Sequence, residues 1–172
     1  MEINRKDLSF LGREFLTWLW YKSEERNGAV MIPGEGDVEL VFLRRIVLVS
    51  GEGEYSETVS CSGLHADLSE GKAALKAGKK VREARIKMGI GNDDWEFTFK
   101  ADDFCFQSMK LPSGFEEGED EAEEEGRVLD RIGCIDTVTT ALEQLFSSFL
   151  ELHRSDAWKS RELPQMAKWI GE

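Results

Sequence analysis

The first strong pattern in the chain is a run of bulky apolar residues close to its start, FLGREFLTWLWY at positions 10–21. At about 100° per residue, a helix over residues 9–25 with Ser9 as its N-cap places six apolar side chains on one arc of roughly 200°. These residues are Leu11, Phe15, Leu16, Trp18, Leu19 and Trp20. Such an arc is about twice the stripe that a surface helix needs for one contact. The pattern therefore predicts a helix that packs against two protein surfaces.

A membrane anchor is the other common use of such an apolar run, and the same segment excludes it. A membrane-spanning helix needs roughly 20 apolar residues without charges near its centre. Arg13 and Glu14 lie in the middle of this shorter run. The remaining interpretations are an ordinary core helix and a surface reserved for a partner.

Alternating apolar and polar residues predict several strands in the middle of the chain. The segments VELVF and RIVLVS come first, and EYSETVSCSG follows a turn that Gly51 and Gly53 mark. VREARIKMGI and DDWEFTF alternate in the same way, and GNDD at positions 91–94 predicts a hairpin between them. FCFQSMKLP is expected to form one more strand, which Pro112 ends.

Helical spacing predicts three further helices. A short helix in ADLSEGKAALKAG stops at Gly78, a long helix covers residues 127–152, and a last helix includes Met166 and Trp169. The long helix is apolar around more than half of its circumference, so we expect it to be central or interfacial. The order of elements predicts an α+β fold, in which an antiparallel sheet packs with the Trp-rich N-terminal helix and the long C-terminal helix.

The length and composition indicate a single domain, and the charge is distributed unevenly along the chain. The chain has 172 residues, of which 41% are hydrophobic and 33% are charged, and its net charge is −12. Eight of its acids lie in EEGEDEAEEE at positions 116–125, without a base. We expect one domain over residues 1–172 with a flexible acidic loop at about 115–126. A sharper alternative is that the acidic run mimics a nucleic-acid backbone and occupies a basic surface.

Motifs for catalysis, metal binding or cofactors are scarce. The sequence has no GxSxG, Walker or GxGxxG motif, and its histidines, His65 and His153, lack metal-ligand spacing. His65 with Asp67 is interpreted as a polar turn rather than an acid–base pair. The nearest approaches to a nuclease cluster are Asp93, Asp94 and Glu96 before Lys100, which a hairpin explains more simply, and Asp67 with Glu70 and Lys72, whose helical spacing points Glu70 and Lys72 in different directions. We therefore expect no metal, no cofactor and no enzyme activity; the three widely spaced cysteines indicate a reducing cytoplasm.

The most informative polar feature is a basic segment between positions 72 and 87. Its seven cations are opposed inside the segment only by Glu83. They are Lys72, Lys76, Lys79, Lys80, Arg82, Arg85 and Lys87. Such an excess can neutralise phosphates of a duplex without sequence preference and with strong salt dependence. The alternative is a solvated strand face whose cations are balanced by acids elsewhere in the chain.

Three groups of segments resemble the C-terminal part of the recombination-associated RdgC family. They are FLGREFLTWLWYKSEE, then AGKKVREARIKM with WEFTF, and then ALEQLFSSFLELHRSDAW with MAKWI. The likeness covers nearly the whole chain as an ordered series of short matches. It implies a non-catalytic protein of the bacterial nucleoid that forms a dimeric ring around duplex DNA and restrains recombinase filaments. The GKKVREARIK match implies Lys79, Lys80, Arg85 and Lys87 as candidates for phosphate contacts.

Two hypotheses follow from these observations. The first is a sequence-independent duplex-DNA-binding protein associated with recombination, which acts as a homodimer or with a companion chain that supplies the N-terminal half of the family fold. The second is a protein–protein interaction module without nucleic-acid binding of its own. In either case Phe15, Trp18, Leu19 and Trp20 are predicted to form a partner interface, because the second apolar face of their helix otherwise lacks cover.

Overall fold

The computed structural model describes residues 5–25, 27–32, 36–50, 56–62, 69–113 and 121–171. These residues form an antiparallel sheet and four α-helices, so the predicted α+β class is confirmed. The elements are α1 (Arg5–Glu25), β1 (Ala29–Ile32), β2 (Gly36–Ser50), β3 (Glu57–Ser62), α2 (Ser69–Lys76), β4 (Lys80–Ile90), β5 (Asp93–Lys100), β6 (Cys105–Lys110), α3 (Glu121–Arg154) and α4 (Leu163–Gly171). A π-helical turn at Trp158–Glu162 precedes α4.

The sheet has the strand order β1-β2-β4-β5-β6, and β3 pairs with β2. The long strand β2 pairs with two strands along the same edge, so that Val38 lies opposite Val30 of β1 and Leu48 lies opposite Val59 of β3. The predicted hairpin between β4 and β5 is confirmed, because Ile90 pairs with Asp93 across a turn. The sequence did not predict β1, since only four residues form it.

One face of the sheet carries the core. The row Phe42, Ile86 and Phe97 runs across β2, β4 and β5, and all three side chains are buried. Because successive residues of a strand point to opposite faces, Arg85 and Lys87 lie on the other face. The alternation read from the sequence is therefore the alternation that the structure uses.

Helix α1 lies on the apolar face and has protein on two sides. Phe15 packs edge-on against Phe99 at a ring distance of 6.4 Å and against Phe146 of α3 at 5.1 Å. Trp20 stacks on Phe42 of β2 and meets Trp169 of α4 at 5.2 Å. The helix therefore contacts two surfaces, as its wide apolar arc predicts, and both belong to this chain.

The N-terminal end of α1 differs from the prediction. The helix begins at Arg5, so Ser9 lies inside it and is not the N-cap. The hydroxyl of Ser9 donates to Asp102 Oδ1 at 3.2 Å, and Arg13 binds both oxygens of the same carboxylate at 2.6 and 2.9 Å. Ser9 therefore joins α1 to the end of β5 instead of starting the helix.

Helix α3 begins at Glu121, six residues before the predicted start at Arg127. The last part of the predicted acidic loop, residues 121–126, is therefore helical, and residues 114–120 lie outside the described part of the chain. At about 1.5 Å per residue, its 34 residues span about 51 Å. That length exceeds the length of β5, a strand of eight residues, so one end of the helix extends past this strand.

Candidate interaction surfaces

The four residues predicted to form a partner interface are buried inside the chain. Phe15, Leu19 and Trp20 are 0% exposed and Trp18 is 5% exposed. The prediction of a partner interface at these residues is therefore wrong. Helix α3 and the C-terminal segment from Trp158 cover the second face of α1, a contact between distant parts of the chain that periodicity cannot reveal.

The polar atoms of these tryptophans are also satisfied within the chain. Trp18 Nε1 donates to Glu162 Oε1 at 2.9 Å, and Trp20 Nε1 donates to Glu24 Oε1 at 2.8 Å. Glu162 is 2% exposed and also accepts the ammonium of Lys22 at 2.6 Å. Burial, with the nearby carboxylates of Glu25 and Glu162, raises the pKa of Tyr21 well above its ordinary value. The Trp-rich helix is thus locked by buried polar bonds as well as by packing.

Lys79, a candidate phosphate contact, has an internal role in the structure. It is buried, and its ammonium donates to Ser50 Oγ at 3.1 Å and to Glu57 Oε2 at 2.7 Å. The hydrogen bond and the positive charge hold the pKa of Glu57 below its ordinary value. Lys79 therefore joins the end of β2 to the start of β3.

Arg85 and Lys87 pair with acids of the neighbouring strand. Arg85 bonds Glu96 Oε1 at 2.7 Å and donates to the carbonyl oxygen of Ser108 at 2.8 Å. Lys87 bonds Asp94 at 2.8 Å. These contacts lower the pKa of Glu96 and raise the pKa of Lys87. Charge counting along the sequence does not detect this balance, because the acids lie on β5.

The other four candidate cations fall into two groups. Lys72 lies 3.4 Å from Glu24 and 5.0 Å from the centre of the Trp169 ring, and Lys80 lies 3.6 Å from Glu14. Lys76 is exposed and Arg82 is half-buried, and neither has an acidic partner among the residues that the structure describes. Five of the seven predicted nucleic-acid-binding residues are thus paired with carboxylates.

The acids considered for a metal site are dispersed. Asp94 pairs with Lys87 and Glu96 pairs with Arg85. Within the described ranges, no group of three or more histidine, cysteine or acidic side chains could hold a metal ion. His65 and Asp67 lie outside the described residues. The second histidine, His153, bonds Glu14 Oε2 at 2.9 Å and lies against the Trp158 ring.

The most prominent exposed apolar surface lies on the first half of α3, the helix that the sequence predicted to be central or interfacial. Val128, Leu129, Ile132 and Ile135 are 44%, 69%, 57% and 44% exposed, and we call these four residues the α3 stripe. Further along the same helix, Val138, Ala141, Leu145 and Phe149 are buried. A wide apolar arc in the sequence indicated an interfacial helix, but only the fold separates its covered half from its exposed half.

The structure also explains where the cover of α3 ends. Trp95, at the start of β5, is buried and its indole nitrogen donates to the carbonyl oxygen of Cys134 at 3.1 Å. Gly126 and Gly133 have open space where a Cβ atom would lie. The indole of Trp95 therefore contacts α3 at Cys134, close to the C-terminal end of the α3 stripe.

A small cleft lies between α1 and β1. Its volume is about 180 Å³, and its lining residues are Trp18, Lys22, Glu25, Ala29, Val30 and Met31. It is smaller than the roughly 300 Å³ at which pockets for small ligands begin. Lys22, its cation, already bonds Glu25 and Glu162. The cleft offers little polar capacity for a ligand.

Comparisons with protein-family models, with curated proteins and with solved structures found no match to this chain. The likeness to RdgC therefore rests on the quoted segments alone. None of the helices in the described part of the chain carries an apolar stretch long enough to cross a bilayer.

Proposed function

We propose that this chain is a non-catalytic protein-interaction domain that docks through the α3 stripe. The observation that carries the proposal is the change along one helix, from four exposed aliphatic residues between Val128 and Ile135 to a covered apolar face from Val138 onward. Exposed apolar patches rimmed by polar residues are typical of protein interaction sites. Because the apolar residues of α1 are buried within the chain, the exposed residues of α3 are the better candidate for the partner surface.

The energy available at the α3 stripe supports this interpretation. Burying one Val, Leu or Ile side chain contributes about 1.5–3 kcal/mol. The four residues retain roughly half of their exposed area, so covering them makes several kcal/mol available for association. Affinity depends on a few such buried anchors more than on total area, and Leu129, which is 69% exposed, has the most to contribute.

Site-specific photo-crosslinking in the native cell tests the proposal. A photoreactive residue replaces Ile132, and in a matched control it replaces Leu163, an aliphatic residue of α4 that is 41% exposed. We expect one discrete adduct from position 132 and none from position 163, followed by reconstitution of the complex from purified components. The same weak adducts from both positions would contradict the proposal.

Sequence-independent duplex-DNA binding is a second proposal, and the start of β4 favours it. Lys76 and Arg82 lack acidic partners in the described part of the chain, and Lys80, at 40% side-chain exposure, has a carboxylate only at 3.6 Å. These three cations lie within seven positions of one another along the chain, and phosphates can replace a weak ion pair. Together with the resemblance to RdgC, these three cations support the proposal that the chain is a recombination-associated protein of the cytoplasmic nucleoid, which acts as a dimer or with a companion chain.

Fluorescence anisotropy with a random-sequence duplex tests this second proposal. Three phosphate contacts predict a slope of about −3 for the logarithm of the binding constant against the logarithm of salt concentration. Lys76→Glu, Lys80→Glu and Arg82→Glu together should abolish binding, whereas Lys159→Glu, an exposed lysine of the π-helical turn, should not. Undiminished binding by the triple variant would refute the assignment to these residues.

A further inference from the structure

We infer that the α3 stripe receives a cationic amphipathic helix from another protein. The inference rests on the proposed interaction function and names the chemistry of the partner. It is carried by two features of the first half of α3: the spacing of its exposed apolar residues and its charge.

The spacing of the stripe suits a helical partner. Val128, Ile132 and Ile135 follow one another at intervals of four and three residues. These are the intervals of a seam between two packed helices, in which side chains of one helix enter the spaces between side chains of the other. Leu129 lies beside the seam and widens the apolar surface. An extended peptide would repeat its contacts every second residue and would not match this spacing.

The charge around the stripe selects a cationic partner. Residues 121–137 contain six acids and two arginines, a net charge of −4 by sequence. Asp136, which lies one turn after Ile132 and so beside the stripe, is exposed. Opposite charges that flank an apolar helix seam determine which partners pair. Lysine or arginine residues beside the partner's apolar face would meet this requirement.

The same charge argues against a second copy of this chain as the occupant. Each copy carries a net charge of −12, so a pair brings together two strongly acidic chains. A parallel pairing of two α3 helices would place the acidic residues 121–125 of both copies side by side. An antiparallel pairing would separate those residues, but this half of α3 supplies only Arg127 and Arg131 against six acids in each copy. A cationic helix removes this repulsion in either orientation.

Three labelled synthetic peptides test the inference by anisotropy with the full chain. The first has Leu and Ile at heptad a and d positions with Lys at the flanking positions. The second keeps the apolar residues and has Glu in place of Lys, and the third has the composition of the first in scrambled order. We expect the first peptide to bind at least tenfold more tightly than either of the others, because it alone has both the seam and the cations.

Protein variants locate the binding. Ile132→Asp should weaken binding of the first peptide at least tenfold, whereas Leu163→Asp on α4 should leave it within twofold. Equal binding of the acidic peptide, or of the scrambled peptide, would overturn the inference. Sedimentation showing a dimer of the full chain that Ile132→Asp dissociates would overturn it as well, because a second copy would then be the occupant.

The two proposals fail in distinguishable ways. A discrete crosslink at position 132 without preference for the cationic peptide would leave the interaction function standing and refute only the partner's chemistry. Loss of both the crosslink and the peptide preference would refute the interaction function itself.

Discussion

Glu162 offers a quantitative test of why the Trp-rich helix is part of the core. Its carboxylate is 2% exposed, accepts a hydrogen bond from Trp18 Nε1 at 2.9 Å and forms an ion pair with Lys22 Nζ at 2.6 Å. Lys22 retains 20% of its side-chain exposure and also bonds Glu25. The two partners of this ion pair are therefore unequal: the ammonium has another carboxylate and some contact with water, whereas Glu162 has no second cation among the described residues and is shielded from water.

This inequality predicts that replacing Lys22 and replacing Glu162 lower the free energy of unfolding by different amounts. Lys22→Met leaves a buried carboxylate with one neutral donor, and loss of one partner of a buried pair costs about 3–5 kcal/mol of unfolding free energy. Glu162→Leu leaves Lys22 bonded to Glu25, so its main penalty is the unpaired indole N–H of Trp18, about 1–3 kcal/mol. The double variant should cost less than the two single changes added together, because it no longer contains the buried unpaired carboxylate.

Urea unfolding followed by tryptophan fluorescence and by circular dichroism measures these free energies. Lys159→Met is the matched control, because Lys159 is an exposed lysine of the same π-helical turn as Glu162, and we expect a change below about 0.5 kcal/mol. A cost below about 1 kcal/mol for Lys22→Met, or strict additivity in the double variant, would refute the reasoning.

Three further predictions concern backbone space and buried charges. A Cβ atom at Gly12 would overlap the carbonyl oxygen of Ala101 and lie 2.7 Å from a ring carbon of Phe104. Gly12→Ala should therefore lower the free energy of unfolding in urea by about 1–3 kcal/mol. Gly133→Ala is the control, and it should raise that free energy by up to about 1 kcal/mol, because a Cβ atom there meets open space. Because Arg85 lowers the pKa of Glu96 in the folded state, the stability that this pair contributes should be present above pH 4.5 and be lost as the pH falls below that value. Arg85→Met should therefore lose less stability on acidification than the wild-type protein. An equal loss of stability with falling pH in both proteins would contradict a contribution from this pair. Lys79→Met should destabilise the fold, and a wild-type unfolding midpoint would show that its bonds to β2 and β3 contribute nothing.

The local structure of this protein follows largely from its sequence. Alternation in VREARIKMGI and DDWEFTF predicted β4, β5 and the turn between them, because side chains of a strand point to opposite faces at every second residue. Helix α1 was predicted from its apolar arc, which also indicated two packing surfaces. The periodicity of a segment indicates how much of its surface is apolar, and it did this for α1, α3, β4 and β5.

Tertiary structure decided which surfaces are covered and which charges are free. Trp18 and Trp20 are buried because α3 and α4 return to α1 from more than 100 residues away, and no local pattern encodes that contact. Arg85 and Lys87 formed part of a basic segment in the sequence, and cross-strand acids balance them in the sheet. The α3 stripe is exposed, whereas Cys134 on the same helix accepts a hydrogen bond from Trp95 of the sheet and the residues from Val138 onward face the core. The sequence by itself determined the elements and their apolar faces, whereas the pairing of distant elements determined the surface that remains for a partner.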